Sequence, residues 1–150
     1  MINRRNFLSL GLGALAVSMA PSTLSAVNFR ETKPKAWEAT KVDAAMKELF
    51  GTSKTTEGKV KLKAPDIAEN GAVIPLTVSS KLKGSKVAIF QDANPEAAVA
   101  VFDVPEGGII DYSIRIKMAK TGNVTAVVEE GGKLYSASKA VKVTIGGCGG

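Results

Sequence analysis

The chain has 150 residues, with 20 Lys and Arg against 14 Asp and Glu, one cysteine and no histidine. Without histidine it cannot build a Ser–His or Cys–His dyad, and with one cysteine the usual zinc, copper and haem ligand sets are missing. A net charge of +6 spread along the sequence and 5% aromatics exclude the clustered bases and stacking rings of a nucleic-acid binder.

At the N-terminus, Arg4-Arg5-Asn6-Phe7-Leu8 fits the twin-arginine export pattern. The apolar run behind it, Leu8 to Ala20, is shorter than the roughly 20 residues a membrane-spanning helix needs. Residues 1–26 therefore read as a twin-arginine signal peptide cleaved near Ala26, leaving a periplasmic protein with no membrane segment. Cleavage removes Arg4 and Arg5 and no acidic residue, so the charge excess falls further. Roughly 124 residues remain, enough for one domain with a core of its own.

Residues 27–58 read as an N-terminal helix and connector. From Pro34 to Phe50 the pattern is helical: Val42, Ala45, Met46 and Leu49 recur on one face, extended by Trp37 and Phe50. Pro34 suits a first turn and Gly51 a left-handed stop. Trp37 is expected to pack this helix onto the domain. Thr52 to Gly58 is a polar connector.

From Lys59 the period changes to two, and residues 59–145 read as a β-domain. Val60, Leu62 and Ala64 alternate with lysines, and Ile74, Leu76 and Val78 alternate with Pro75, Thr77 and Ser79. Pro75 cannot donate a ladder hydrogen bond, which predicts an edge strand or a bulge. Val87 to Phe90 and Val99 to Val104 are short apolar runs. Ile110 to Met118 alternates most cleanly, with Asp111, Ser113, Arg115 and Lys117 on its polar face. Thr121-Gly122-Asn123 predicts a turn into Val124 to Glu130, and Gly131-Gly132 a hairpin into Lys133 to Ala137. A last strand carries Val141, Val143 and Ile145 inward. About seven short strands with turns every 8–12 residues predict an all-β fold, an immunoglobulin-like antiparallel β-sandwich.

Several polar groups have structural explanations. Lysines 59, 61, 63, 81, 83 and 86 could steer an anion, but alternation makes the first three a solvated strand face. Arg115, on a polar strand face, suits a salt bridge or a partner contact. Asp66, Glu69 and Asn70 lack the spacing of a calcium loop and read as turn residues.

The sandwich ends in Gly146-Gly147-Cys148-Gly149-Gly150, residues 146–150. Four glycines resist ordering, so this tail is expected to be flexible, and Cys148 could reach about 10 Å from Ile145. Composition alone leaves three readings: a disordered end, a thiol that pairs two chains, and a thin handle presented to partners. A lone thiol in an oxidising compartment needs a bridge or a chemical task.

The leader, Ala44 to Gly51, Ala64 to Pro75, Asn94-Pro95, Ile114 to Ala119 and Val141 to Gly150 together resemble the SoxY family, sulfur carriers of the periplasmic Sox thiosulfate-oxidising system. Lys117 stands where the family commonly has a second arginine, and Glu96 follows Asn94-Pro95 where another proline is usual a little later. The resemblance implies a substrate carrier rather than an enzyme, without a cofactor of its own. Cys148 would be the covalent attachment site, and Gly146, Gly147, Gly149 and Gly150 its tether. It also implies a heterodimer with SoxZ and transient visits to a haem enzyme, a manganese hydrolase and a sulfane dehydrogenase. The alternatives are a structural β-sandwich module dimerised through a Cys148 disulfide, and a ubiquitin-like carrier activated at its terminal Gly149-Gly150 carboxylate. The latter conflicts with export and with the strand pattern.

Overall fold

A computed structural model describes residues 27–145. The signal-peptide reading of residues 1–26 and the tail lie outside the described residues.

The predicted single helix is two, preceded by a short turn of helix: α1 (Phe29–Thr32), α2 (Pro34–Glu38) and α3 (Val42–Phe50). The chain breaks at Ala39, which is extended at φ −68° and ψ 128° and whose carbonyl accepts from the Ala97 N–H at 2.9 Å. A bond to the β-domain replaces the intrahelical one there, and periodicity alone cannot reveal that. Gly51 does end α3 in the left-handed region, at φ 80°.

The strands are β1 (Thr56–Glu57), β2 (Val60–Lys63), β3 (Ile67–Ala68), β4 (Ile74–Ser80), β5 (Lys86–Gln91), β6 (Ala98–Asp103), β7 (Ile110–Ile116), β8 (Gly122–Glu130) and β9 (Lys133–Val143). Seven have four or more residues, in keeping with the sequence pattern. One sheet runs β1-β9-β8-β5-β6, with β3 also on β9; the other runs β2-β4-β7. The connector expected from Thr52 to Gly58 contributes β1, which pairs in parallel with Tyr135 and Ser136. Lys133 to Val143 is one unbroken strand, because β8 is long enough to pair with it from Lys133 to Val141. The hairpin between them turns on Gly131 and Gly132, at φ 56° and 76°, values that favour glycine.

The architecture is a sandwich with helices on its back. Ile74, Leu76 and Val78 of the small sheet meet Val87, Ile89, Val124, Ala126 and Val128 of the large one. The opposite face of the large sheet, with Ala88, Phe90 and Val127, is covered by Trp37, Met46 and Leu49. Strands β5 and β8 are thus buried on both faces, so they read as apolar runs instead of alternating. Trp37 does pack the helices onto the domain.

Pro75 departs from expectation, since β4 is the central strand of the small sheet and pairs with β7 without irregularity. The proline is accommodated because β2 ends at Lys63, opposite Thr77. Opposite Arg115, Pro75 cannot donate toward β7, so its nitrogen faces the other side, where β2 has already ended.

Candidate functional site

Cys148, Gly146, Gly147, Gly149 and Gly150 lie outside the described residues; the structure describes the ground from which they extend. That ground is the end of β9. Its partner β8 begins at Gly122, opposite Val141, so past Val141 the strand needs other ligands for its backbone. Thr121 supplies one, its Oγ1 accepting from the Val143 N–H at 2.9 Å.

On the other edge, β3 pairs in parallel with Lys142 and Val143. The Lys142 N–H donates to the Asp66 carbonyl at 2.9 Å and the Thr144 N–H to the Ala68 carbonyl at 3.1 Å. The Thr144 hydroxyl donates to the Glu69 carbonyl at 3.1 Å, and the Gly71 N–H to the Ile145 carbonyl at 2.8 Å. The backbone is therefore held through Ile145. Side-chain burial ends sooner: Val141 is fully buried, whereas Ile145 is 66% exposed and does not point inward as the alternation suggests. Neither sheet extends that far, so no core face is left for it to cover.

Behind this attachment stands a second layer. The Met118 N–H donates to the Gly71 carbonyl at 2.8 Å. Asn94 clasps the same segment, donating from Nδ2 to the Lys117 carbonyl and accepting at Oδ1 from the Ala119 N–H, both at 2.8 Å. Asn94 is in turn placed by Gln91, a fully buried amide. Its Oε1 accepts from the N–H groups of Ala93 and Asn94 at 2.6 and 2.7 Å, and its Nε2 donates to the Glu96 carbonyl at 2.6 Å. Four separated stretches, around residues 66–71, 91–96, 117–119 and 141–145, thus converge on one pole of the sandwich. Asp66, Glu69 and Asn70 act there as turn and anchoring residues. Asp66 pairs with Lys139 at 3.0 Å, Glu69 offers its carbonyl, and Asn70 Oδ1 accepts from the Ala72 N–H at 2.8 Å.

The chemistry on offer is positional: the backbone amides, the hydroxyls of Thr121 and Thr144 and the carboxamides of Asn94 and Gln91 bond to one another. Among the described residues no three His, Cys, Asp or Glu side chains gather as a metal site. Ile67, Val73 and Ile145, each more than half exposed, lie on segments that hold this pole.

Lys59, Lys61 and Lys81 are elsewhere. Val60 pairs with Ser80 and Ile110 with Ser80, which places the start of β2, the end of β4 and the start of β7 at the pole away from Ile145. Lys59, Lys61 and Lys81 line a groove of about 540 Å³ there, over Val60 and Leu82. Lys61 and Lys63 are exposed, as a solvated face requires. Arg115 is exposed on the outer face of the small sheet. Gln91 and Thr121 escape a sequence reading because nothing about a lone glutamine after an apolar run, or a threonine before Gly-Asn, announces a tertiary bond.

A search of curated proteins found no match. Among solved structures, the sulfur carrier protein SoxY from Chlorobium limicola f thiosulfatophilum is 44% identical, covering 71% of this chain and 98% of its own, with a TM-score of 0.64. Superoxide reductase (neelaredoxin) from Ignicoccus hospitalis, 17% identical over 57% of this chain and 80% of its own, has a TM-score of 0.51 and shares the fold alone. The family described as Sulfur oxidation protein SoxY matches residues 46–148, from within α3 to the single cysteine, and the chain belongs to that family.

Proposed function

We propose that this chain is a periplasmic carrier of sulfur intermediates in thiosulfate oxidation, holding its cargo covalently on Cys148. The observation that carries this reading is the extent of the family match, which runs through the glycine pair Gly146-Gly147 to Cys148. The 44% identical structure is itself a sulfur carrier protein. The pole that holds Ile145 offers support, since Thr121, Asn94, Gln91 and Thr144 there fix the backbone in place.

In this reading the thiol couples to thiosulfate: Cys–SH and S2O3²⁻ give Cys–S–S–SO3⁻, one proton and two electrons, which a haem protein accepts. A manganese hydrolase then adds water across the terminal S–S bond, releasing SO4²⁻ and two protons and leaving Cys–S–S⁻. A sulfane dehydrogenase then oxidises the outer sulfur: Cys–S–S⁻ and three waters give Cys–S–SO3⁻, six protons and six electrons, which that enzyme accepts. SoxZ is the stable partner, and the exposed Ile67, Val73 and Ile145 suit contact with another protein. Gly146, Gly147, Gly149 and Gly150 give the thiol reach and a narrow profile. Export follows the twin-arginine leader at Arg4-Arg5.

Mass spectrometry of the C-terminal peptide, from protein isolated out of thiosulfate-grown cells, tests the reading. Sulfur or thiosulfonate additions on Cys148 are expected, and Cys148→Ser should fold normally yet abolish turnover in the reconstituted system. A Cys148–Cys148 disulfide as the sole modification, with turnover surviving the serine variant, would refute it.

A further inference from the structure

Asn70 and Gly71 form the one Asn-Gly pair in the chain. In such a pair the glycine nitrogen can attack the asparagine side-chain carbon, with no Cβ on the glycine to hinder it. The other asparagines among the described residues are placed less well for this chemistry. Asn28 precedes Phe29, Asn123 precedes Val124, and Asn94 precedes Pro95, whose nitrogen carries no hydrogen.

The structure treats the two reacting groups differently. Asn70 is exposed, and its Oδ1 accepts from the Ala72 N–H at 2.8 Å, which folds the side chain back across residue 71. Negative charge develops on Oδ1 as the side-chain carbon is attacked, and the Ala72 N–H is already in place to stabilise it. Gly71 is buried, and its N–H donates to the Ile145 carbonyl at 2.8 Å. Its nitrogen must lose that proton before it can attack. The electrophile is prepared, while the end of β9 locks the nucleophile.

We propose that Asn70 is a deamidation site gated by the hydrogen bond between Gly71 and Ile145. When the end of β9 opens locally, the freed Gly71 N–H gives its proton to hydroxide, and the nitrogen bonds to Cγ of Asn70. The C–N bond of the side-chain amide breaks, the departing amine takes a proton from water, and ammonia leaves a succinimide ring. Water opens the ring at either carbonyl, giving aspartate or isoaspartate. The sum is one water consumed and one ammonia released, with no oxidation or reduction. In isoaspartate the main chain runs through the former side chain and is one carbon longer between residues 70 and 71. Gly71 then loses register with the Ile145 carbonyl and the Met118 N–H, its two partners at 2.8 Å. The Asn70 carbonyl, which accepts from the Val73 N–H, becomes a free carboxylate outside the main chain. The change runs one way, because its product cannot rebuild the anchor that held the reaction back.

Incubation of the purified chain in mildly alkaline buffer tests this, followed by mass spectrometry of the tryptic peptide Ala64–Lys81, in which Asn70 is the only side-chain amide. Asn70 should be converted ahead of Asn28 and Asn123 in the folded chain, and more slowly than in the same chain unfolded in urea. Thr144→Val removes the hydroxyl that donates to the Glu69 carbonyl and so loosens the end of β9. It should raise the rate in the folded chain about fivefold and leave the rate in urea unchanged. Hydrogen exchange supplies a second readout. In the isoaspartate form the Gly71, Met118 and Thr144 amides should exchange faster, while those of Val87 and Val127 in the doubly covered sheet stay slow. Asn70→Asp brings the charge without the extra carbon and should keep all of them slow. Equal rates in the folded chain and in urea, indifference to Thr144→Val, or survival of Asn70 in both folded chains would overturn the proposal. So would wild-type exchange in the isoaspartate form, or exchange in Asn70→Asp as fast as in that form. None of these readouts involves Cys148.

Discussion

The Gly71 amide donates to the Ile145 carbonyl at 2.8 Å, and the Gly71 carbonyl accepts from the Met118 amide at the same distance. One residue thereby joins the last described turn of the chain to the end of β7 and, through Asn94, to the loop after β5. The end of β9 is fixed from both sides although no sheet reaches it. A segment extending from such a point starts from a defined place, whatever its own freedom. The predictions below perturb that fixing in steps.

Replacing Gln91 removes the keystone of the loop behind the pole. Its amide satisfies two N–H donors and one carbonyl in a fully buried position. Gln91→Ala leaves those groups unpaired, and each buried unsatisfied group costs about 1–3 kcal/mol. A loss of about 3–5 kcal/mol in urea denaturation is expected. Gln91→Glu keeps the acceptor for Ala93 and Asn94 but places a carboxylate against the Glu96 carbonyl, so its loss should be smaller. Equal losses for both variants would show that the donor to the Glu96 carbonyl, absent from both, carries the effect and that the two accepted bonds contribute little.

The alternating strands β2, β4 and β7 were legible because their inner faces meet one core and their outer faces meet water. Strands β5 and β8 could be seen only as apolar, since both of their faces are covered. The break at Ala39 and the accommodation of Pro75 were not legible, because each depends on what another segment does nearby: Ala97 bonding to Ala39, and β2 stopping at Lys63. At the candidate site the sequence displays the cysteine and its glycines openly. It also contains Ala64 to Pro75, Asn94-Pro95 and Ile114 to Ala119 as separate stretches, with nothing local to say that they meet beside Ile145. Ile145 itself follows the inward alternation of Val141 and Val143, and only the limits of both sheets reveal its exposure.

Gly122 leaves no room for a side chain. A Cβ there would run into the Asp92 carboxylate and come within 2.8 Å of the Ala93 Cβ. Asp92 is held in turn, its two oxygens accepting from the Asn123 N–H and Nδ2 at 2.6 and 2.8 Å. Gly122→Ala must push this pair aside, and crowding of this kind costs about 1–3 kcal/mol. Chemical denaturation should show that loss, with Asp92→Ala/Gly122→Ala recovering part of it. A double variant less stable than the sum of the two singles would refute the clash.

Thr121→Val tests the attachment more gently. The substitution keeps the shape and removes the oxygen that accepts from the Val143 N–H at 2.9 Å. Thr121 is exposed, so water can take over part of the bond, and the global cost should be about 1 kcal/mol or less. The local effect should be larger. Amide exchange at Val143 should accelerate severalfold while that at Val124 and Val127 in β8 stays slow, because those sit in the doubly covered sheet. Unchanged exchange at Val143 would mean that β3 alone holds the strand.

The last prediction concerns the tether. If the glycines around Cys148 give the thiol reach and a narrow profile, then Gly147→Val should impair delivery of the cargo without altering the fold. Among the described residues Val141 is the last fully buried side chain, so a residue at 147 is expected to leave the packed core untouched and the melting temperature should stay within error. Valine restricts the backbone at that position and adds a branched Cβ next to the thiol, widening the part that must enter a partner's site. Gly147→Ala adds only a methyl group and should have a smaller effect in the same direction. The measurement is kcat/KM for each partner enzyme with the wild-type, Gly147→Ala and Gly147→Val carriers, alongside thermal melts. The loss should be graded from alanine to valine and steepest for the enzyme whose reactive centre lies deepest. Identical kinetics for all three carriers, at equal stability, would reduce the tail to a passive end with a cysteine in it.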